Sequence, residues 1–401
     1  MSITSPPPLS GGSDRPSDQM WIASEFTPLA DQFFAMFSSR ASGGGALAVY
    51  HDGTKVVDIW AGHAGRHRRW QHDTVALSFS TGKGVASTVV HRLAERGVIE
   101  YDARVADYWP EFGAAGKHSI TVRELLSHRA GLHRIRGVVP TSEQLMDHAL
   151  VTSLLARSPA SRKRLTAPGY HAITFGALVA ELAARASGRD FTELVRTEIA
   201  EPLGAPELWF VVPREERYRI AGTFPHINPL QLPWGLTSSA LSKLPGIRNL
   251  ADAGMPAGFD ALVRNPDLHD SAMPGWNGVF SARSLAKMYA ALAGDGSVDG
   301  RRLLRPDSVE QLSEVQTTAR DYVLGIPMNW RLGYHAGMIS ARHQPQQAFG
   351  HYGLGGSGAF ADPESGLAVA FVSNRLGNRV NPIADLRLPR LGATAQALAR
   401  G

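Results

Sequence analysis

Two β-rich stretches stand at opposite ends of the chain, and whatever fold forms must bring both into one structure. Residues 45–62, "GALAVYHDGTKVVDIWAG", form two apolar runs around an Asp-Gly turn, a strong hairpin signal. Residues 357–374, "SGAFADPESGLAVAFVSN", repeat that design around Asp362-Pro363-Glu364-Ser365-Gly366. Between them the periodicity turns helical: residues 82–97, then "ITVRELLSHRAGL", whose Thr121 and Glu124 have capping-box spacing, then residues 175–204. An apolar-periodic segment at 24–38, carrying Phe26, Leu29, Phe33 and Phe37, precedes the first hairpin and reads as an amphipathic helix.

Distant strands joined by a helical middle predict an α/β (α+β) fold, with an antiparallel sheet built from both chain ends, flanked by helices, and a mostly helical domain inserted. The expected division is a flexible tail over 1–22, an α/β domain from 23–75 and 276–401, and a helical domain over 76–275. Within the last, residues 205–275 are rich in Pro, Gly and Trp with weak periodicity, which suits a lid or pocket wall. Any cleft belongs at the junction of the two parts.

The 401 residues, 43% hydrophobic and 19% charged, describe a globular protein with a large core. The chain contains no cysteine, which excludes disulfides and thiolate metal sites. Its first twenty residues lack the basic and apolar regions of a secretory signal, and no apolar run is long enough for a bilayer span, so a cytoplasmic location is expected. The net charge of +5 comes from arginines spread along the chain, and "GRHRRW" and "RKRL" lie in no nucleic-acid motif. No nucleic-acid partner is expected.

Chemistry enters with "LSFSTGKGVAS", residues 77–87, where Ser80 stands one helical turn before Lys83. That spacing puts hydroxyl and amine on one face, and the helix N-terminus offers unpaired N–H groups to an oxyanion. The bare S-x-x-K pattern is weak, because 32 serines and six lysines give roughly half a chance match. A second copy, Ser284 and Lys287, reads as the N-cap of an amphipathic helix. Ser80 itself could be a plain N-cap.

The surrounding segments are more specific. "LSFSTGKGVAS", "ITVRELLSHRAGL", "PGYHAITFGALVAELAARASGRDF", "RTEIAEPLG", "NGVFSARSLAKMYAAL" and "FGHYGLGGSGAFADPESGLAVAFVSN" occur in this order. The chain thereby resembles the serine β-lactamase-like hydrolases: class C β-lactamases, D-alanyl-D-alanine peptidases and family VIII carboxylesterases. The likeness runs from about residue 24 to 375 and is poorest over 205–275.

The resemblance implies a β-lactamase/transpeptidase-like fold with Ser80 as acylated nucleophile and Lys83 as its proton-relay partner. Tyr170, in "GYHA", takes the place of the Y-x-N tyrosine, which deprotonates the serine or passes the proton to the leaving group. A phenol beside a lysine cation is expected to have a lowered pKa; a core tyrosine bonded through its hydroxyl is the bland alternative. His351-Tyr352-Gly353 matches the K-T-G element, and the N–H groups of Ser80 and Leu354 would form the oxyanion hole. Two departures follow: the K-T-G lysine is His351, a weaker and pH-dependent cation, and the Y-x-N asparagine is Ala172. Both favour an esterase for uncharged acyl substrates over an efficient lactamase.

Other motifs carry less. "STGKGVAS" has Leu77 where a P-loop needs glycine, "GGSGA" falls one residue short of a nucleophile elbow at Ser357, and His63, His67 and His72 lie in a Gly/Arg-rich hairpin. The expected protein is a serine carboxylesterase acting on small-molecule esters of short or medium acyl chains, without metal or cofactor. Trp234 and Trp276 are candidate walls of its acyl pocket. The rival readings are a β-lactamase, a D-amino-acid amidase or peptidase, an acyltransferase, and a catalytically silent penicillin-binding-like sensor.

Overall fold

The structure, a computed structural model, describes residues 19–38, 43–139, 141–225, 245–254, 258–337, 347–376 and 385–400. Its main sheet contains β1 (Trp21–Ile22), β2 (Gly44–His51), β3 (Thr54–Gly62), β4 (His335–Ala336), β5 (Phe349–Tyr352), β6 (Gly358–Asp362) and β7 (Leu367–Ser373). These seven strands run in the order β1-β3-β2-β7-β6-β5-β4, every neighbouring pair antiparallel. The two chain ends meet between β2 and β7, in register from Leu367 opposite His51 to Ser373 opposite Gly45. Both hairpins form as the sequence predicts. Asp52 and Gly53 turn the first with φ of 47° and 71°, the left-handed pair that matches strand twist. Trp21 and Ile22, assigned to the tail on sequence, instead pair with Asp58 and Val57, and the rest of that tail up to residue 18 lies outside the described residues.

The helices that position the site are α1 (Thr27–Ala35), α2 (Gly82–Glu95), α3 (Thr174–Ser187), α4 (Ala282–Ala293) and α5 (Arg387–Ala399). Period-2 alternation sorts each sheet strand between two cores. Leu47, Val49, Val369 and Phe371 pack with α1 and α5 on one face. Ala48, Ala359, Ala361, Ala368 and Ala370 point to the other, where their small side chains let α4 approach closely. With both faces covered, the strands read as continuous apolar runs.

Ser281, not Ser284, caps α4, accepting the Ser284 N–H at 3.1 Å. Ser284 lies one turn inside and donates to Glu207 at 2.7 Å, while Lys287 pairs with Asp299 at 2.9 Å. The second S-x-x-K copy is therefore spent on local structure. Thr121 and Glu124 do form the capping box, with reciprocal bonds of 3.2 and 3.1 Å.

Every residue of α2 from Gly82 to His91 is buried, as expected of a helix enclosed on all sides. It packs on α3 and touches β5, and so runs through the middle of the molecule. Just before it, Ala76–Leu77 pairs with Val279–Phe280, and Ser78 N–H donates to Gly278 O at 2.7 Å, tying the start of α2 to the 273–278 loop.

Phe371 has no exposed surface, with the rings of Phe33 and Phe37 at 6.2 and 6.4 Å. Phe371→Ala is expected to destabilise the fold by about 3–5 kcal/mol in urea unfolding.

Candidate active site

Ser80 sits on the tight turn Phe79–Thr81 that leads into α2. Phe79 immediately before it has φ of +48°, a left-handed conformation that costs a bulky residue energy and that the packing of its buried ring sustains. The turn leaves Ser80 partly exposed, while Lys83, one turn on, is wholly buried.

Lys83 Nζ lies 2.8 Å from Ser80 Oγ, 2.7 Å from Ala172 O and 2.5 Å from Gly275 O. Two of these partners are carbonyls, which only accept, and none is a carboxylate. Burial without a counter-charge pushes the Lys83 pKa well below the ordinary lysine value. The amine directs N–H bonds to both carbonyls and to Ser80 Oγ; once it has lost a proton, the Ser80 contact is the one its lone pair can take over, because a carbonyl cannot donate.

Tyr170 joins this pair from the segment before α3. Its ring lies 5.2 Å from Lys83 Nζ, and Ser80 acts on its hydroxyl. Desolvation raises the phenol pKa above its ordinary value, and the Ser80 hydrogen bond only partly opposes this. The expected lysine cation with a phenol of lowered pKa is thus reversed: burial removes the charge that would have lowered it.

Close backbone contacts hold these loops together. A Cβ on Gly176 would lie 1.7 Å from Gly275 N, so α3 meets the 273–278 loop only because both positions are glycine. A Cβ on Gly353 would lie 2.1 Å from Ser78 O, so the end of β5 presses directly on the Ser80 turn. Gly353 N–H donates to Ser357 O at 2.7 Å. The N–H groups of Ser80 and Leu354 make no hydrogen bond among the described residues, and the Leu354 side chain is exposed.

A family model described as Beta-lactamase matches residues 26–393. The chain belongs to the beta-lactamase family. It is 40% identical over 362 residues to the Esterase/beta-lactamase LipL of Mycobacterium tuberculosis, covering 88% of this chain and 81% of that one. A crystal structure of a family VIII carboxylesterase superposes with a TM-score of 0.82 at 34% identity, covering 95% of this chain and 99% of that one. A penicillin-binding protein homolog from Caulobacter crescentus does so with a TM-score of 0.79 at 32% identity, covering 94% and 98%. The beta-lactamase/transpeptidase-like fold is the one described above, and the chain is a serine hydrolase of that superfamily with esterase-like homologues.

His351 is 1% exposed, and burial pushes its pKa well below the ordinary value. It is a neutral imidazole rather than the weak cation expected from sequence. Its Nδ1 lies 3.2 Å from Tyr352 O, an acceptor, so Nδ1 carries the proton. Nε2 is then a buried acceptor with no hydrogen-bond partner among the described residues. His335, 4.9 Å away ring to ring, is fixed in the same tautomer between Ala336 O and Tyr352 N–H.

Ser357 is buried and bonded to both N–H and O of Ser373, which ties β6 to β7 rather than exposing a nucleophile. Trp276 is 1% exposed and belongs to the core beside Gly275; Trp234 lies outside the described residues. Among the described residues no three His, Cys, Asp or Glu side chains are grouped so as to hold a metal, and no helix is long and apolar enough to cross a membrane. Sequence reasoning missed the Gly275 carbonyl, His128, His171, Asp321 and Trp330. His128 lay within a quoted motif; Asp321 and Trp330 carried no local signal.

Unfolded Lys83 keeps its proton up to the ordinary lysine range, whereas burial makes folded Lys83 release it at lower pH. The unfolded state therefore binds more protons, and stability gains with rising pH by up to about 1.4 kcal/mol per pH unit from this group. Lys83→Met is expected to remove that slope between pH 8 and 10 in urea titrations, relative to the parent.

Proposed function

We propose that the protein is a carboxylesterase that cleaves uncharged esters of short or medium acyl chains through an acyl-enzyme on Ser80. The observation that carries this reading is the buried Lys83 amine, bonded to two carbonyls and 2.8 Å from Ser80 Oγ with no carboxylate beside it. Lys83 takes the serine proton as Oγ attacks the ester carbonyl carbon. The oxyanion is met by the N–H groups of Ser80 and Leu354. On collapse the C–O bond to the alcohol breaks, and the leaving oxygen takes the Tyr170 hydroxyl proton. The Lys83 ammonium then reprotonates Tyr170. Water repeats the sequence to release the acid.

A neutral His351 supports uncharged substrates, because a carboxylate, which only accepts, gains nothing from an acceptor nitrogen. LipL is named as both esterase and beta-lactamase, so lactam hydrolysis is the second reading. Comparing p-nitrophenyl butyrate with nitrocefin is expected to give the higher kcat/KM for the ester; a strong preference for nitrocefin overturns the esterase assignment. A fluorophosphonate probe is expected to label the native chain and not Ser80→Ala, which should lose at least about 10³-fold in kcat. Equal labelling of both chains would instead favour a silent sensor.

A further inference from the structure

Asp321 is completely buried, and the mechanism above makes no use of it. One carboxylate oxygen accepts the N–H groups of Val323 and Leu324 at 2.8 and 2.9 Å, and the other accepts the indole N–H of Trp330 at 3.0 Å. The backbone N–H of Tyr170 also faces this carboxylate and favours its charged form. No arginine, lysine or histidine pairs with it among the described residues. A carboxylate held inside a protein by N–H donors alone loses hydration that these bonds must replace, and here one of the three belongs to the ring partner of Tyr170. Trp330 is itself buried and lies nearly parallel to the Tyr170 ring, at 5.6 Å and 12°. His128 closes the far side, 4.1 Å from Trp330 and 5.2 Å from Tyr170.

We propose that Asp321 is a positioning residue, which aims the Tyr170 hydroxyl at the leaving alcohol by holding the indole stacked on its ring. The inference rests on the role given to Tyr170 above. It assigns the carboxylate a second effect of the same sign: its negative charge opposes a phenolate, so Tyr170 enters the reaction carrying a proton to give. Proton donation matters where the leaving group is a poor one, and hardly at all for p-nitrophenolate.

The side chain of Asn has one oxygen. In Asp321→Asn that oxygen can keep the Val323 and Leu324 bonds, while the amide N–H₂ then opposes the Trp330 N–H and releases the indole. The test is kcat/KM of the full chain on ethyl butyrate and on p-nitrophenyl butyrate, in the parent, Asp321→Asn, Tyr170→Phe and the double variant. Asp321→Asn is expected to lower the ethyl ester by about tenfold and the p-nitrophenyl ester by about threefold or less. In the Tyr170→Phe background the ethyl-ester loss is expected to vanish. If Asp321→Asn does not fold, Trp330→Phe, which keeps a ring and deletes the N–H, is expected to show the same leaving-group selectivity with a smaller loss. An equal loss on both esters, or a loss that persists without the phenol, overturns the inference. If Tyr170→Phe itself fails to distinguish the two esters, the reading of Tyr170 falls and takes Asp321 with it; if Tyr170→Phe does distinguish them and Asp321→Asn does not, only Asp321 falls.

Discussion

Residues 45–51 and 367–373 pair edge to edge although more than 300 residues separate them in the chain, and that pairing builds the sheet against which the site is assembled. Closing so long a loop is entropically cheaper than its length suggests, since the cost rises only with its logarithm. What makes the closure specific is the pleat. Slipping β7 by one residue would turn Val369 and Phe371 toward α4 and the alanines toward α1, leaving both cores misfitted. Register thus fixes where α4 lies, and α4 in turn follows directly from the 273–278 loop that carries Gly275. The end of β5, two strands further along the same sheet, meets the Ser80 turn at Gly353.

Within that frame α2 is buried from Gly82 to His91, and its lysine has nowhere to be hydrated. An ammonium there would face two carbonyls and a hydroxyl with no carboxylate to balance it, which is why burial decides its protonation state. The cost is borne by the fold: Lys83 must give up a proton that it would keep in the unfolded chain. In the proposed mechanism that cost supplies a base at neutral pH without any neighbouring cation, and the phenol, kept protonated by the same desolvation, is its complement rather than its rival. Two groups whose environments push them in opposite directions from water thereby acquire opposite tasks.

Much of this was legible in the sequence, and the reasons are local. The Asp52-Gly53 turn, the Thr121 capping box and the apolar spacing of Phe26, Leu29 and Phe33 each encode their conformation within a few residues. The grouping of Ser80, Lys83 and Tyr170 could be anticipated only from the order of several segments taken together. Protonation states could not be read at all, because they depend on what surrounds a side chain and not on what precedes it. Lysine next to tyrosine suggests a cation and a depressed phenol; Lys83 inside a buried helix gives the reverse. Ser284 shows the same limit on a smaller scale, since Ser281, three residues earlier, offers the same hydroxyl and takes the cap. Asp321 and Trp330 lie 151 and 160 residues beyond Tyr170, in a stretch without periodicity, so only folding brings them to it.

The identity of the residue at 351 can be weighed in the same terms. A lysine at this place would bring a flexible ammonium that seeks carboxylates in a substrate. His351 is instead locked by its own Tyr352 carbonyl and packed between the rings of His335 and Tyr170, so it can neither reach outward nor hold a proton on both nitrogens. Protonating it would set an unhydrated charge in a buried space, and burial is the main force that opposes it. Burial thus pushes each of the three basic positions of the site, Lys83, His335 and His351, toward its neutral form. A substrate carboxylate entering the site would lose water and find no cation in return, a desolvation cost of several kcal/mol for an unpaired ion. An uncharged ester meets no such barrier, and the proposed esterase function follows from that asymmetry more directly than from the shape of any pocket.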